Sequence, residues 1–263
     1  MRGIAVIGNL ACDTIDGGSP RVGGAPFHAA RALRLLGGSS RIVARSAPDD
    51  RRSLVAPLAA LGVPYAWLPA PSTPTFEIRY SGEEREMTIA DPGTPWSLED
   101  ARAVGRADWV QVGALTRGDF PADVLASLAR GSRLALDGQA LVRPAAKGLL
   151  VPDADFDPEV LRHVTALKVN EEELETLGGE ETMAKLLVPE LLITRGSATG
   201  ALVLTRGERE RILVRPVDVP NPTGAGDAFL AAYVWARASG HRPGSAARHA
   251  ATTAARVLEL TQQ

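Results

Sequence analysis

Short apolar runs recur along the chain, each closed by glycine or a polar residue, and stretches with apolar residues at helical spacing lie between them. Ile4-Ala5-Val6-Ile7, Arg41–Arg45, Trp109–Gly113, Leu134–Asp137, Ala166–Val169 and Leu191–Ile193 are predicted strands, with the continuous apolar character of strands covered on both faces. Leu54, Leu58 and Leu61 form the stripe of a helix that opens at Asp49-Asp50 and ends at Leu61-Gly62. Pro121 to Leu128 and residues 243–258 are predicted as further helices, the last rich in alanine and suited to close packing. This alternation predicts an α/β fold, a mostly parallel central sheet flanked by helices.

One segment breaks the rhythm. Thr75–Tyr80 and Arg85–Ile89 alternate with period two around a turn at Ser81–Glu84, so an antiparallel, half-buried hairpin is expected near 75–90. A plain edge hairpin of the main sheet would give the same pattern. Residues 144–157 read as a surface connection, and Ala201–Leu204 and Ile212–Val214 as strands joined by a charged turn.

Composition narrows the class. With 263 residues, 45% of them apolar, a sizeable core is available, and we expect one domain over 1–263. A net charge of −2 with no basic block argues against nucleic acid and gives no membrane-surface signal. Cys12 is the only cysteine, which excludes an internal disulfide and fits a reducing compartment. The N-terminus opens on a strand pattern with no leader, and no apolar run is long enough to span a bilayer, so a cytoplasmic protein is expected.

The chemistry concentrates in Asn221-Pro222-Thr223-Gly224-Ala225-Gly226-Asp227-Ala228-Phe229, which opens a helix carrying Phe229, Leu230, Tyr233 and Val234. The amides of Gly224, Ala225 and Gly226 sit at that helix N-terminus and can face an anion with the dipole behind them. Asp227 in the first turn suits a general base beside a phosphoryl group, or is an ordinary acidic N-terminal residue. Asp13 follows the first strand, where α/β folds place ligands, and can accept hydrogen bonds from a polyhydroxylated substrate or lie solvated in a loop. Gly23-Gly24 precedes a helix with His28 in its first turns, as a ligand group or as a packed histidine. Asn170-Glu171-Glu172-Glu173, an amide and three carboxylates, begins another helix, either as its acidic start or as a shell for hydrated magnesium. Thr194-Arg195-Gly196 through Gly200 offers hydroxyl and backbone groups to phosphate, or is a hairpin turn.

Three of these segments fall in the order of a known family. Asn221–Asp227 resembles the C-terminal signature of the ribokinase/PfkB family of sugar kinases, usually Asp-Thr-x-Gly-Ala-Gly-Asp. Gly23-Gly24 with His28 is similar to its N-terminal Gly-Gly signature, where asparagine usually stands at position 28. Asn170-Glu171-Glu172-Glu173 matches its Asn-x-x-Glu motif. The resemblance covers nearly the whole chain. It implies a ribokinase-like three-layer fold with a small β lid, and ATP-dependent transfer of the γ-phosphoryl group to a hydroxyl of a small sugar or polyol. It assigns the proton to Asp227 and the transferring phosphoryl group to Gly224, Ala225 and Gly226. Asp13, Gly24 and His28 take the acceptor, Asn170, Thr194, Gly196 and Gly226 the donor, and Glu173 magnesium, through water. The last helix would flank adenine. An exposed apolar lid face would call for a cover, which a second copy of the chain could supply.

Departures from the family pattern open alternatives. Asn221-Pro222 replaces Asp-Thr and the chain stops at Gln263, so activation by a monovalent cation is doubtful. Ala11 and His28 replace two frequent asparagines, which leaves a nucleoside acceptor open beside a sugar or cyclic polyol. A nucleotide-binding regulator without turnover is a further alternative. A dinucleotide-dependent oxidoreductase would need Gly-x-Gly-x-x-Gly after the first strand, a spacing absent after Ile7.

Overall fold

The structure, a computed structural model, describes residues 3–81, 84–186, 188–214 and 223–261. In chain order come β1 (Ile4–Asn9), β2 (Ala11–Ile15), β3 (Arg21–Gly23), α1 (Ala25–Leu36), β4 (Ser40–Ser46), α2 (Arg51–Ala59) and β5 (Tyr65–Pro69). The hairpin β6 (Thr75–Ser81) and β7 (Glu84–Asp91) follows, then α3 (Leu98–Val104), β8 (Trp109–Gly113), α4 (Ala122–Ala129), β9 (Arg133–Asp137), α5 (Gln139–Val142) and β10 (Gly148–Leu149). The remainder is β11 (Val164–Asn170), α6 (Glu171–Thr176), α7 (Gly179–Lys185), β12 (Glu190–Thr194), α8 (Gly196–Thr199), β13 (Ala201–Thr205), β14 (Glu208–Ile212), α9 (Ala225–Ala238) and α10 (Pro243–Thr261).

The large sheet has the order β14-β13-β12-β11-β9-β8-β1-β4-β5 and is parallel from β12 to β5. Among the described residues β13 alone runs against the rest, pairing antiparallel with β12 and with the edge strand β14. Side chains alternate between the two faces of each strand. Trp109, Ala135, Ala166 and Leu192 face a core shared with α1, α2, α9 and α10, while Val110, Leu134, Leu167 and Leu191 face one shared with α3, α4 and α7. The result is helix–sheet–helix layering, as the alternation predicts. Alanines let α9 and α10 approach closely: Ala228, Ala231, Ala232 and Ala236 are buried with Ala246, Ala247 and Ala250. Helix α9 is therefore covered on all sides, which explains its weak amphipathicity.

A second sheet, β10-β7-β6-β2-β3, stands beside the first. Its hairpin spans 75–91, as the period-two pattern predicts. Phe76, Ile78, Met87 and Ile89 point inward with Leu115, and Glu77 and Arg79 point outward. These inward side chains are buried.

Three local expectations are corrected. Asp13 lies on β2, paired with β3 and β6, rather than in a loop, because the chain bends out of β1 at Leu10 into the second sheet. Residues 144–157 are more than a surface connection: β10 extends the second sheet, fixed by Leu150 N donating to Met87 O at 2.8 Å. The expected charged turn is strand β14 itself, with the turn at Arg206-Gly207, since an edge strand with an exposed face tolerates charge. Asn221 and Pro222 lie outside the described residues.

Candidate active site

The strands of the large sheet end at a cleft of about 750 Å³, walled on its other side by the second sheet. It is lined by Asp13, Gly24 and His28, by Asn170, Glu173, Thr194 and Gly196, and by Gly224, Gly226 and Asp227. The structure thus brings together all the residues singled out from the sequence except Ala225, which begins α9 beside them.

On the acceptor side, backbone packing explains the glycine pair. A side chain at Gly23 would meet the Asp13 carboxylate, with Oδ2 only 1.9 Å from its Cβ. Gly24 caps α1 at φ 91°, where a Cβ would lie 2.4 Å from Asn9 O. His28 is buried at 8% exposure, and burial followed by Arg31 lowers its pKa to about 3, so the ring is neutral. Its Nδ1 has no hydrogen-bond partner among the described residues. The ring lies directly against the loop that opens α9: a Cβ on Gly224 would stand 2.2 Å from Nδ1. Gly224 must be glycine on a second count, since it caps α9 in the left-handed region at φ 83°. Tyr80 of β6 comes within 3.3 Å of the Thr223 hydroxyl, which links the second sheet to the same loop. Asp119 fixes another wall by accepting from Leu115 N at 2.7 Å and the Thr116 hydroxyl at 2.8 Å.

On the donor side, Asn170 and Thr194 are register neighbours at the ends of β11 and β12. Asn170 Oδ1 accepts from Glu173 N at 2.7 Å and Glu173 Oε2 accepts from Asn170 N at 2.9 Å, a reciprocal capping box that starts α6. The Asn-x-x-Glu spacing therefore has a structural role of its own. Whether magnesium fits follows from what this box leaves over. Asn170 Oδ1 keeps a lone pair and Glu173 keeps its second carboxylate oxygen, hard donors suited to the water shell of magnesium rather than to a full protein cage. Among the described residues no group of three or more His, Cys, Asp or Glu is gathered as a metal cage.

Beneath the first turn of α9 lies a polar layer that the motifs do not contain. Gln111, Asp137 and Lys168 occupy positions of β8, β9 and β11 that share the α9-facing side with Trp109, Ala135 and Ala166. Lys168 and Asp137 are register partners, both 4% exposed, and Lys168 Nζ donates to Asp137 Oδ2 at 2.8 Å. Gln111 Nε2 donates to Asp227 O at 3.3 Å. The signal for this layer was present in the sequence, as polar residues at inward positions of otherwise apolar parallel strands. Asp227 titrates in this setting, pushed up to about 7 by burial first and then by Asp137, while Lys168 and Arg143 pull it back. A carboxyl poised there can take a proton near neutral pH.

Comparison with known proteins agrees with this geometry. The model of the pfkB family carbohydrate kinases matches residues 15–262. The chain belongs to this family. It is accordingly a phosphotransferase with an alcohol acceptor, with the ribokinase-like form of the α/β fold. It is 27% identical over 252 residues to a fructokinase of Klebsiella pneumoniae, covering 87% of this chain and 82% of that protein. A pyrophosphate-dependent kinase of the ribokinase family, solved with a pyrophosphate analog and myo-inositol, superposes with a TM-score of 0.84 at 24% identity, covering 97% of this chain and 95% of that one. A fructokinase of Vibrio cholerae, solved with fructose, ADP and calcium, gives 0.73 at 20% identity, covering 97% and 91%. Among the described residues no helix is long and apolar enough to cross a membrane.

Proposed function

We propose that the protein transfers a phosphoryl group from ATP to a hydroxyl of a small sugar or cyclic polyol. The observation that carries this reading is Asp227, whose raised carboxyl stands in the first turn of α9 beside the Gly224–Gly226 amides and lines the cleft with Asp13. Asp13, Gly24 and His28 bind and orient the acceptor. Asp227 takes the proton of the acceptor hydroxyl as its oxygen attacks phosphorus. The amides of Gly224, Ala225 and Gly226 meet the charge on the transferring group at a helix N-terminus, where it is stabilised before the reaction begins. Asn170, Thr194 and Gly196 hold the donor phosphates. Magnesium would be held through water by Asn170 and Glu173, and when bound it neutralises phosphate charge. The second sheet acts as a lid: Phe76, Ile78 and Met87 turn an apolar surface on the cleft and exclude water that would hydrolyse the donor. Such catalysis is chiefly positioning plus electrostatics.

A second reading keeps the chemistry and changes the donor to inorganic pyrophosphate. It is supported by the closer superposition on the pyrophosphate-dependent kinase, 0.84 against 0.73 for the fructokinase of Vibrio cholerae. Its cleft supports it too: the described donor end is built from Asn170, Glu172, Glu173, Thr176, Thr194 and Gly196, groups suited to phosphate and metal rather than to a base.

One experiment separates these readings. Turnover is measured with ATP and with pyrophosphate across myo-inositol, fructose, other hexoses and nucleosides, with magnesium, with and without potassium. Turnover of a sugar or polyol with ATP supports the first reading, and turnover with pyrophosphate alone the second. Tight donor binding without phosphorylation of any acceptor would overturn both in favour of a regulator.

A further inference from the structure

Gly226 poses a question that its backbone does not answer. Its φ lies outside the left-handed region in which the other motif glycine, Gly224, is held. The nearest group to a side chain at Gly226 would be Lys168: a Cβ there would lie 2.9 Å from the lysine Nζ and 3.7 Å from Asp137 Oδ2, so the lysine tip would have to move. The ammonium group therefore reaches up from β11 into the start of α9 and lines the cleft together with Asp137 and Asp227. Among the described residues it makes one hydrogen bond, to Asp137, which leaves two further N–H groups beside the loop.

We propose that Lys168, held by Asp137 beneath Gly226, is a positioning residue for phosphoryl transfer, fixing the first turn of α9 and the Asp227 carboxylate it carries. The inference rests on the reading of Asp227 as the base.

The surroundings support it. Among the described residues, charged groups that act on Asp227 include Asp137 from β9, Lys168 from β11, Arg143 after α5 and Glu173 from α6. Beyond them lie Gln111 from β8, which is neutral by chemistry, and His28 from α1, which burial keeps neutral. Three carboxylates thus share two cations. Burial works against the charge on Lys168, yet Asp137, Glu173 and Asp227 together hold its pKa above the usual lysine range. Lys168 therefore stays charged while Asp227 changes state. In the reaction the acceptor O–H proton passes to Asp227, the acceptor oxygen bonds to phosphorus, and the leaving oxygen takes the electron pair of the broken P–O bond. Lys168 gives up no proton. It lowers the cost of a carboxylate placed among other carboxylates.

The test is the titration of Asp227 followed by carbon NMR of its carboxyl group in the ligand-free protein, with kcat measured over the same pH range. Asp227→Asn identifies the resonance. Lys168→Met is expected to raise the Asp227 midpoint by about 1–3 pH units, the usual size of a close opposite-charge effect. Asp137→Asn is expected to lower it, and Lys168→Arg to leave it near wild type. The acidic limb of kcat moves with each midpoint. A purely structural role would move stability without these opposite shifts. Should Lys168→Met fail to fold, Lys168→Gln takes its place, and an unchanged or lowered midpoint on loss of the ammonium charge overturns the proposal. Wild-type turnover in Asp227→Asn would instead remove Asp227 as base while leaving the titration result standing.

Discussion

Among the described residues an ion pair underlies each end of helix α9, one half-buried and one fully buried, and they differ in kind. Under its C-terminal part, Glu190 accepts from the Tyr233 hydroxyl at 2.6 Å and from both Arg237 Nε and Nη2, at 3.1 and 2.6 Å. Every group of that carboxylate is taken by protein, and the pair lines no part of the cleft. Under the N-terminal turn, Lys168 and Asp137 share one hydrogen bond and open onto the cleft. Both pairs carry the desolvation penalty of buried charge. The closed one repays it in geometry, by tying α9 to the start of β12. The open one leaves charge and hydrogen-bonding capacity facing a ligand, the arrangement expected where chemistry rather than anchoring is served. The same helix–sheet interface is thus a clamp at one end and a working surface at the other.

The comparison breaks most readily at Asp227. Asp227→Asn is expected to lower kcat by about 10²–10⁴-fold, as for loss of a general base, while the protein still folds. Steady-state kinetics with circular dichroism checks this, and near-normal turnover would make the N-terminal end a second clamp. At the other end, Glu190→Ala should cost about 1–3 kcal/mol of stability, because the buried Tyr233 hydroxyl loses its acceptor and the half-buried Arg237 its partner. Urea unfolding measures the loss, and turnover of the folded fraction should remain close to wild type. Gly226→Ala sharpens the contrast, since the added methyl displaces only the tip of Lys168. We expect a loss of about 10²-fold in kcat, the scale of a small misplacement at a reacting centre, with little change in melting temperature.

A pH series separates the ends again. The folded carboxyl of Asp227 is raised from 3.8 to about 7, so its contribution to stability is fully present below 3.8 and is lost as pH rises through 7. Turnover has the opposite slope, rising with pH through the same value as the base ionises. Asp227→Asn should flatten that part of the stability curve, which denaturation at pH 5 to 8.5 would reveal. The smallest effect is expected far from both pairs. Arg248→Ala removes an exposed contact with Glu210 and should change stability by less than about 1 kcal/mol.

Much of this was legible beforehand, because the signals were local. Continuous apolar runs closed by glycine marked the parallel strands, and the period-two stretch marked the hairpin. Gly224, Gly226 and Asp227 could be placed at a helix N-terminus from spacing alone. What escaped were features made by partners distant in the chain. Strand β5 was missed because its short run Tyr65-Ala66-Trp67-Leu68 is enclosed by Pro64 and Pro69, which read as loop punctuation, and its pairing with β4 is not visible locally. Asp13 read as a loop residue because its pairing with Arg21 and Phe76 is not visible locally. The sheet-extending role of 148–149 was hidden for the same reason, as it depends on register with Thr88 and Ile89. Lys168 was passed over as one polar residue in a strand, although its inward position carried the clue.

From the sequence alone follow the α/β alternation, the helix that opens at Ala225, and the chemical types available to the cleft. Those depend on periodicity, backbone preference and side-chain identity, which neighbours in the chain decide. Only the tertiary structure settled that Lys168 reaches beneath Gly226, that His28 braces Gly224, and that the apolar face of the second sheet turns inward. These are contacts between residues tens to nearly two hundred positions apart, and they exist only once parallel strands are in register and a helix has been laid across them.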